Sequence, residues 1–105
     1  MSLSTQAALL ALMGVAATLA AAPARAADGT AIYNQTCAMC HNPGLANSPK
    51  FGDKAAWEPR LAQGRDTLLQ HALKGKGVMP AKGGNPKLTD EEVAAALDHM
   101  LAAAK

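Results

Sequence analysis

The sequence predicts a small all-α domain, on three observations. Thr89 to Ala104 combines a helix-start signal with a single apolar stripe at helical spacing. Asp28, Asp53 and Asp66 each open a short segment with helical character, where a side-chain oxygen can accept from a free helix amide. No segment alternates apolar and polar residues with the period of two that a half-buried strand requires, so no sheet is expected.

The chain has 105 residues, room for one domain at most. Residues 1–26 read as a signal peptide, leaving residues 27–105 as the domain. Ala7 to Ala22 is apolar apart from Gly14 and Thr18, and Pro23 then leads into the small-x-small pattern Ala24-Arg25-Ala26. Cleavage is expected after Ala26, with Ala27 the next candidate. The segment before the apolar run has no Lys or Arg, and the alternative is an uncleaved membrane anchor. At 16 residues the run is shorter than the roughly 20 a spanning helix needs, so no stable membrane insertion is expected. Export places the chain in the periplasm.

Within the domain, Asp28 or Thr30 can cap a first helix running into Cys37, stopped by Asn42-Pro43-Gly44. Leu45 to Gly52 reads as loop. Asp53 can cap a second helix through Leu61; Pro59 makes it begin late or kink near Glu58, and Gly64 ends it. Asp66 can cap a third helix, with Leu68, Leu69 and Leu73 on its apolar face and Gly75 at its end. Residues 75–86 hold six glycines and prolines, a long loop of the kind that in a small domain is usually functional. Met79 lies within it. Thr89 and Glu92 form a capping box, and Val93, Ala96, Leu97, Met100, Leu101 and Ala104 form the stripe of the last helix.

The chemistry lies in Cys37-Ala38-Met39-Cys40-His41. Two cysteines two residues apart, followed directly by histidine, are the spacing of a c-type haem attachment site. Cys37 and Cys40 would form thioether bonds to one covalent haem per chain, and His41 would reach its iron from one face. The other ring nitrogen of His41 should donate to a backbone carbonyl, for which Pro43 is the candidate. Met79 is the candidate for the sixth position; His71 or His99 would give bis-histidine iron instead. Met39 and Met100 are expected to serve packing. A zinc site would need a second ligand pair, and both cysteines of the chain are already in the motif. A thioredoxin-type pair would need a βαβ context.

A mature chain of about 79 residues has only Tyr33, Phe51 and Trp57 as aromatics. Domains of this size seldom build enough core unaided, and a covalent haem would supply apolar surface. The formal charge of +2 is too small to argue for nucleic acid. Its distribution is uneven: residues 50–87 carry eight Lys or Arg against three acids, and residues 89–105 four acids against one Lys. That is either a dipole able to orient a partner or an ordinary solvated surface.

With these elements in place the chain resembles the small class I c-type cytochromes, and within them the cytochrome c5 type. The matching stretches are Tyr33 to His41, Gly52-Asp53 with Trp57 and Arg60, Gly77 to Gly84, and Leu88 to Val93 with Met100. The resemblance implies about four helices wrapped around one covalent haem, with the first and last helices crossing. It implies His41 and Met79 as axial ligands, with Trp57 and Arg60 near the haem propionates. Some members carry a further cysteine pair, which this chain lacks, and His99 stands where an aromatic residue is common.

The function expected is a periplasmic one-electron carrier, not an enzyme and without a small-molecule substrate. It would shuttle between a donor reductase and an acceptor oxidase or reductase, with Lys74, Lys76 and Lys82 guiding acidic surfaces. The alternatives are a haem enzyme or gas sensor with a labile sixth ligand, and a bound subunit of a larger oxidase or reductase.

Overall fold

The structure is a computed structural model and describes residues 27–105, so the expected signal peptide lies outside the described residues. Residues 29–41 form one continuous helical run. Asp28 starts it by accepting from the Ala31 N–H at 3.1 Å. The run has three parts: α1 (Gly29–Ile32), a π turn (Tyr33–Cys37) and α2 (Ala38–His41). In the π turn the Ala38 N–H reaches back five residues to the Tyr33 carbonyl, where an α-helix reaches four. Gly44, in the left-handed region at φ 77°, reverses the chain into a 3₁₀ turn, Leu45–Asn47.

α3 (Lys54–Leu61) begins directly after Asp53, whose carboxylate accepts from the Ala56 N–H at 3.2 Å. The late start is therefore not adopted. The helix continues through Pro59, giving up the one bond its missing N–H would have made to the Ala55 carbonyl. Gly64, whose N–H closes the last turn on the Leu61 carbonyl at 3.0 Å, ends α3 and also precedes α4 (Arg65–Lys74) as its N-cap, and Asp66 sits inside the first turn instead of capping it. There Asp66 still meets the positive end of the helix dipole. Leu68 and Ala72 are the buried residues of α4; Leu69 and Leu73 are half-buried.

The 75–86 loop has more order than its composition suggests. Lys76 and Met79 exchange backbone hydrogen bonds of 3.0 and 2.9 Å, and a 3₁₀ turn follows at Ala81–Gly84. Lys82 holds a left-handed conformation at φ 54°, and its ammonium donates to the Leu88 carbonyl at 2.7 Å beside Asp90 at 3.2 Å. This ties the Met79 loop to the start of α5 (Asp90–Ala103). The capping box is present, with Thr89 accepting from Glu92 N–H at 3.1 Å and Glu92 from Thr89 N–H at 3.0 Å. All six residues expected on the α5 stripe are buried. Among the described residues there is no strand, and no helix is long and apolar enough to cross a membrane.

α1 crosses α5 at Gly29, where a Cβ would lie 2.2 Å from the Ala95 carbonyl oxygen. His99 joins the aromatic residues beside this crossing. Its ring packs 5.3 Å from Tyr33 and 5.1 Å from Phe51, and its Nδ1 is 3.3 Å from the Thr30 hydroxyl. Met39 does not pack: at 81% exposed it points to solvent, because it lies about 200° around the helix from the buried His41.

Arg65 and Asp98 join α4 to α5 through paired hydrogen bonds of 2.7 and 3.0 Å. These bonds, helped by the Arg65 charge, hold the Asp98 carboxyl below the usual carboxylate range. Its folded-state value lies under its unfolded one. The stabilisation is therefore present above about pH 3.9 and is lost as pH falls through the folded value. The side chains are 45% and 53% exposed, which limits the pair to under about 1 kcal/mol. Asp98→Asn is expected to lower the melting temperature by a few degrees at neutral pH, and by nothing once the carboxylate is protonated. Thermal melts of both proteins at neutral and acid pH check this.

Candidate functional site

α2 sets the motif. Cys37 ends the π turn, and Cys40 and His41, three and four residues on, each neighbour it on the helix surface, while Cys40 and His41 themselves point about 100° apart. His41 is 7% exposed, and its Nδ1–H donates to the Pro49 carbonyl at 2.9 Å. That assigns the proton to Nδ1 and leaves Nε2 as the nitrogen available to a metal. The acceptor is Pro49 and not Pro43. A helical side chain leans toward the N-terminus, away from the carbonyls that follow it, so only a chain that turns back can offer one. The reversal at Gly44 brings Pro49 back, and Phe51 N–H then donates to the His41 carbonyl at 2.7 Å.

His41 opens onto a cleft of about 520 Å³, within the roughly 300–1,000 Å³ usual for cofactor sites. Met79 lines the same cleft, as do Leu68, Ala72, Leu97 and Met100 from α4 and α5. A smaller cavity continues from it, sharing Met79, Ala72, Leu97 and Met100 and lined also by Cys37. Cys40 is half-buried and lines neither. Burial, and then the nearby Cys40, push the Cys37 thiol above its ordinary range, so it stays protonated at neutral pH. Trp57 and Arg60 are on the cleft wall, but both have donors in use. Trp57 Nε1–H donates to the Lys50 carbonyl at 3.0 Å and Arg60 to the Ala56 carbonyl at 2.7 Å.

His71 also lines the cleft, whereas His99 does not. Among the described residues no three His, Cys, Asp or Glu side chains gather as a metal site, which leaves the zinc reading without ligands. Two contacts were not legible from residue types: the Pro49 carbonyl on His41 and the Lys50 carbonyl on Trp57. Both acceptors are backbone atoms. The detectable signal was the glycine reversal at Gly44 followed by a proline, a returning strap of loop.

A cysteine pair and a histidine on one turn of a helical run, with the histidine lining an apolar cleft, define a helical haem-binding domain. Comparison with known proteins makes the class particular. A sequence model of the family described as Cytochrome C oxidase, cbb3-type, subunit III matches residues 24–100. Cytochrome c-555 of Chlorobaculum tepidum is 52% identical over 84 residues, 76% of this chain and 78% of that protein. Cytochrome c5 of Azotobacter vinelandii is 40% identical over 77 residues, 71% of this chain and 93% of that protein. A chain in the crystal structure of an electron transfer complex of nitrite reductase with cytochrome c superposes with a TM-score of 0.71 at 47% identity, covering 74% of this chain and 95% of that one. The chain belongs to this family of c-type cytochromes, as a small class I monohaem electron carrier with one covalent haem c.

Proposed function

We propose that His41 and Met79 are the axial ligands of the haem iron, and that Cys37 and Cys40 carry its thioether bonds. The observation that supports this is that His41, with Nδ1 committed to Pro49, and Met79 line one apolar cleft. When bound, the haem supplies a one-electron couple, and histidine–methionine ligation raises its potential. The protein's part is orientation and exclusion of water. Pro49 aims the His41 imidazole, the Lys76–Met79 bonds fix the thioether's loop, and Leu68, Ala72, Leu97 and Met100 keep the cleft dry. Arg60 is the half-buried cation on the wall, suited to a haem carboxylate. Trp57 stands beside it. A thioether closing the sixth position favours a carrier over an enzyme or gas sensor.

The second reading has a specific observation behind it, since His71 lines the same cleft. The ferric absorption spectrum separates the two. A methionine-to-iron charge-transfer band that disappears in Met79→Ala, together with a potential lower by on the order of 0.1 V or more, supports Met79. A low-spin spectrum without that band supports His71. High-spin iron in the unsubstituted protein, or ready carbon monoxide binding, would return the enzyme or sensor reading.

The carrier is proposed to work in the periplasm after removal of residues 1–26, which N-terminal sequencing of the purified protein checks. Its partners are proposed to be larger redox proteins with acidic docking surfaces. The similar cytochrome c in an electron transfer complex with nitrite reductase supports a redox protein as partner. Lys74 and Lys76 are exposed beside the Met79 loop, and Val78, 79% exposed, stands at the cleft mouth. Lys82 leaves the docking set because its ammonium is already held by Leu88 and Asp90. The rate of electron transfer to an acidic partner is expected to fall as salt rises. Stopped-flow rates independent of ionic strength would count against docking by Lys74 and Lys76.

A further inference from the structure

We propose that Trp57 is a positioning residue for His41, acting through the backbone of the strap that follows Gly44. The inference rests on the ligation of iron by His41 proposed above. Three successive strap residues are pinned. The Pro49 carbonyl accepts from His41 Nδ1–H at 2.9 Å, the Lys50 carbonyl accepts from Trp57 Nε1–H at 3.0 Å, and the Phe51 N–H donates to the His41 carbonyl at 2.7 Å. Lys50 therefore sits between the two strap residues that hold the histidine, and its only side-chain partner among these bonds is the indole. Its carbonyl also accepts from the Asp53 N–H at 3.0 Å, a local turn bond that fixes the strap to the start of α3 but not to the histidine's side of the cleft.

The rings support the same assignment. Trp57 is 3% exposed and His41 7%. Their planes lie within 25° of parallel with centroids 6.0 Å apart, so the indole flanks the imidazole whose hydrogen bond it supports. A buried indole N–H must find an acceptor, and here the acceptor is one peptide bond from the atom that orients the ligand.

The chemical consequence follows from the Nδ1–H bond. Donation to a carbonyl makes the imidazole a more basic ligand. A more basic ligand favours the oxidised iron and lowers the potential. Without the indole N–H the strap loosens, the Pro49 contact weakens, and the potential rises.

Trp57 is the only tryptophan in the chain, so growth on a tryptophan analogue with sulfur in place of the indole N–H changes this donor and nothing else. Trp57→Phe is the second variant, keeping a ring. The holoprotein is measured in each case by absorption, by NMR exchange of the His41 Nδ1–H, and by midpoint potential at several pH values. Exchange is expected to be roughly three- to tenfold faster, and the potential is expected to move positive in both variants with the low-spin spectrum kept. Unchanged exchange and potential in the analogue protein would overturn the inference, leaving Asp53 to hold the strap alone. A changed pH dependence of the potential with unchanged exchange would also overturn it, assigning the indole N–H to a haem carboxylate. Absence of histidine-ligated iron in the unsubstituted protein would be seen first in its spectrum and would instead sink the ligation reading.

Discussion

Cys37→Ala/Cys40→Ala protein, unable to hold haem covalently, is expected to be largely unfolded. The reason lies in where the core is open. Among the described residues eleven apolar ones are buried, three of them alanine, and eight of the eleven line the main cleft or the cavity that continues from it. The core is thus mostly the wall of a cofactor site. Without haem these side chains would line a water-filled cleft and lose the apolar contacts that a bound group would supply, while a small domain has only about 5–15 kcal/mol of stability in total. Near-ultraviolet circular dichroism is the measurement. A native-like aromatic signal from Tyr33, Phe51 and Trp57 in the double variant would refute the expectation.

Gly29→Ala is expected to be the most damaging single-methyl change on the surface between α1 and α5. The added Cβ would lie 2.2 Å from the Ala95 oxygen and 2.6 Å from its carbonyl carbon. Both are backbone atoms of a helix interior, so no rotamer can move away and the two helices must separate. Overpacking of this kind costs about 1–3 kcal/mol and occasionally more. Alanine's better helix propensity offsets up to about 1 kcal/mol, and less than that at a helix's first residue. A net loss near 2 kcal/mol would lower the melting temperature by roughly 10 °C in a domain this small. Thermal melts of the two holoproteins check it. An unchanged midpoint would mean that the crossing is looser than 2.2 Å implies.

Side chains that act on their own local backbone were readable in advance. Asp28, Asp53 and the Thr89/Glu92 box cap the helices they precede, because an N-cap needs only a short polar residue and a following helical run. The α5 stripe was readable for the same reason, since period alone decides its face. The third helix shows the limit. Asp66 and Gly64 both suit a start, and the left-handed Gly64 takes it, putting Asp66 two residues too late. Lys82 shows another: nothing in its residue type announces a left-handed backbone, which is held by Leu88 and Asp90 from beyond the loop. In the site, the residues with distinctive chemistry were readable, and the structure brings His41 and Met79 to one cleft. What orients them was not, because Pro49 and Lys50 act through carbonyls that every residue has.

The π turn at Tyr33–Cys37 makes the first helical run a two-ended object whose ends must be kept in phase. One end presents Gly29 to α5; the other presents His41 to the cleft and Cys37 to the cavity that continues from it. An α-helix turns about 100° per residue, and the wide turn absorbs one residue more than regular helix would. Were the same residues to relax into regular helix with none removed, the motif would swing by about that angle about its own axis, away from the cleft while Gly29 stayed seated; with one residue deleted, regular helix would keep both ends in phase. The segment therefore behaves like a reading frame. The wide turn is what keeps a run with one extra residue in frame, and the constraint is carried by its five-residue hydrogen bond from Ala38 to Tyr33 instead of by any one side chain.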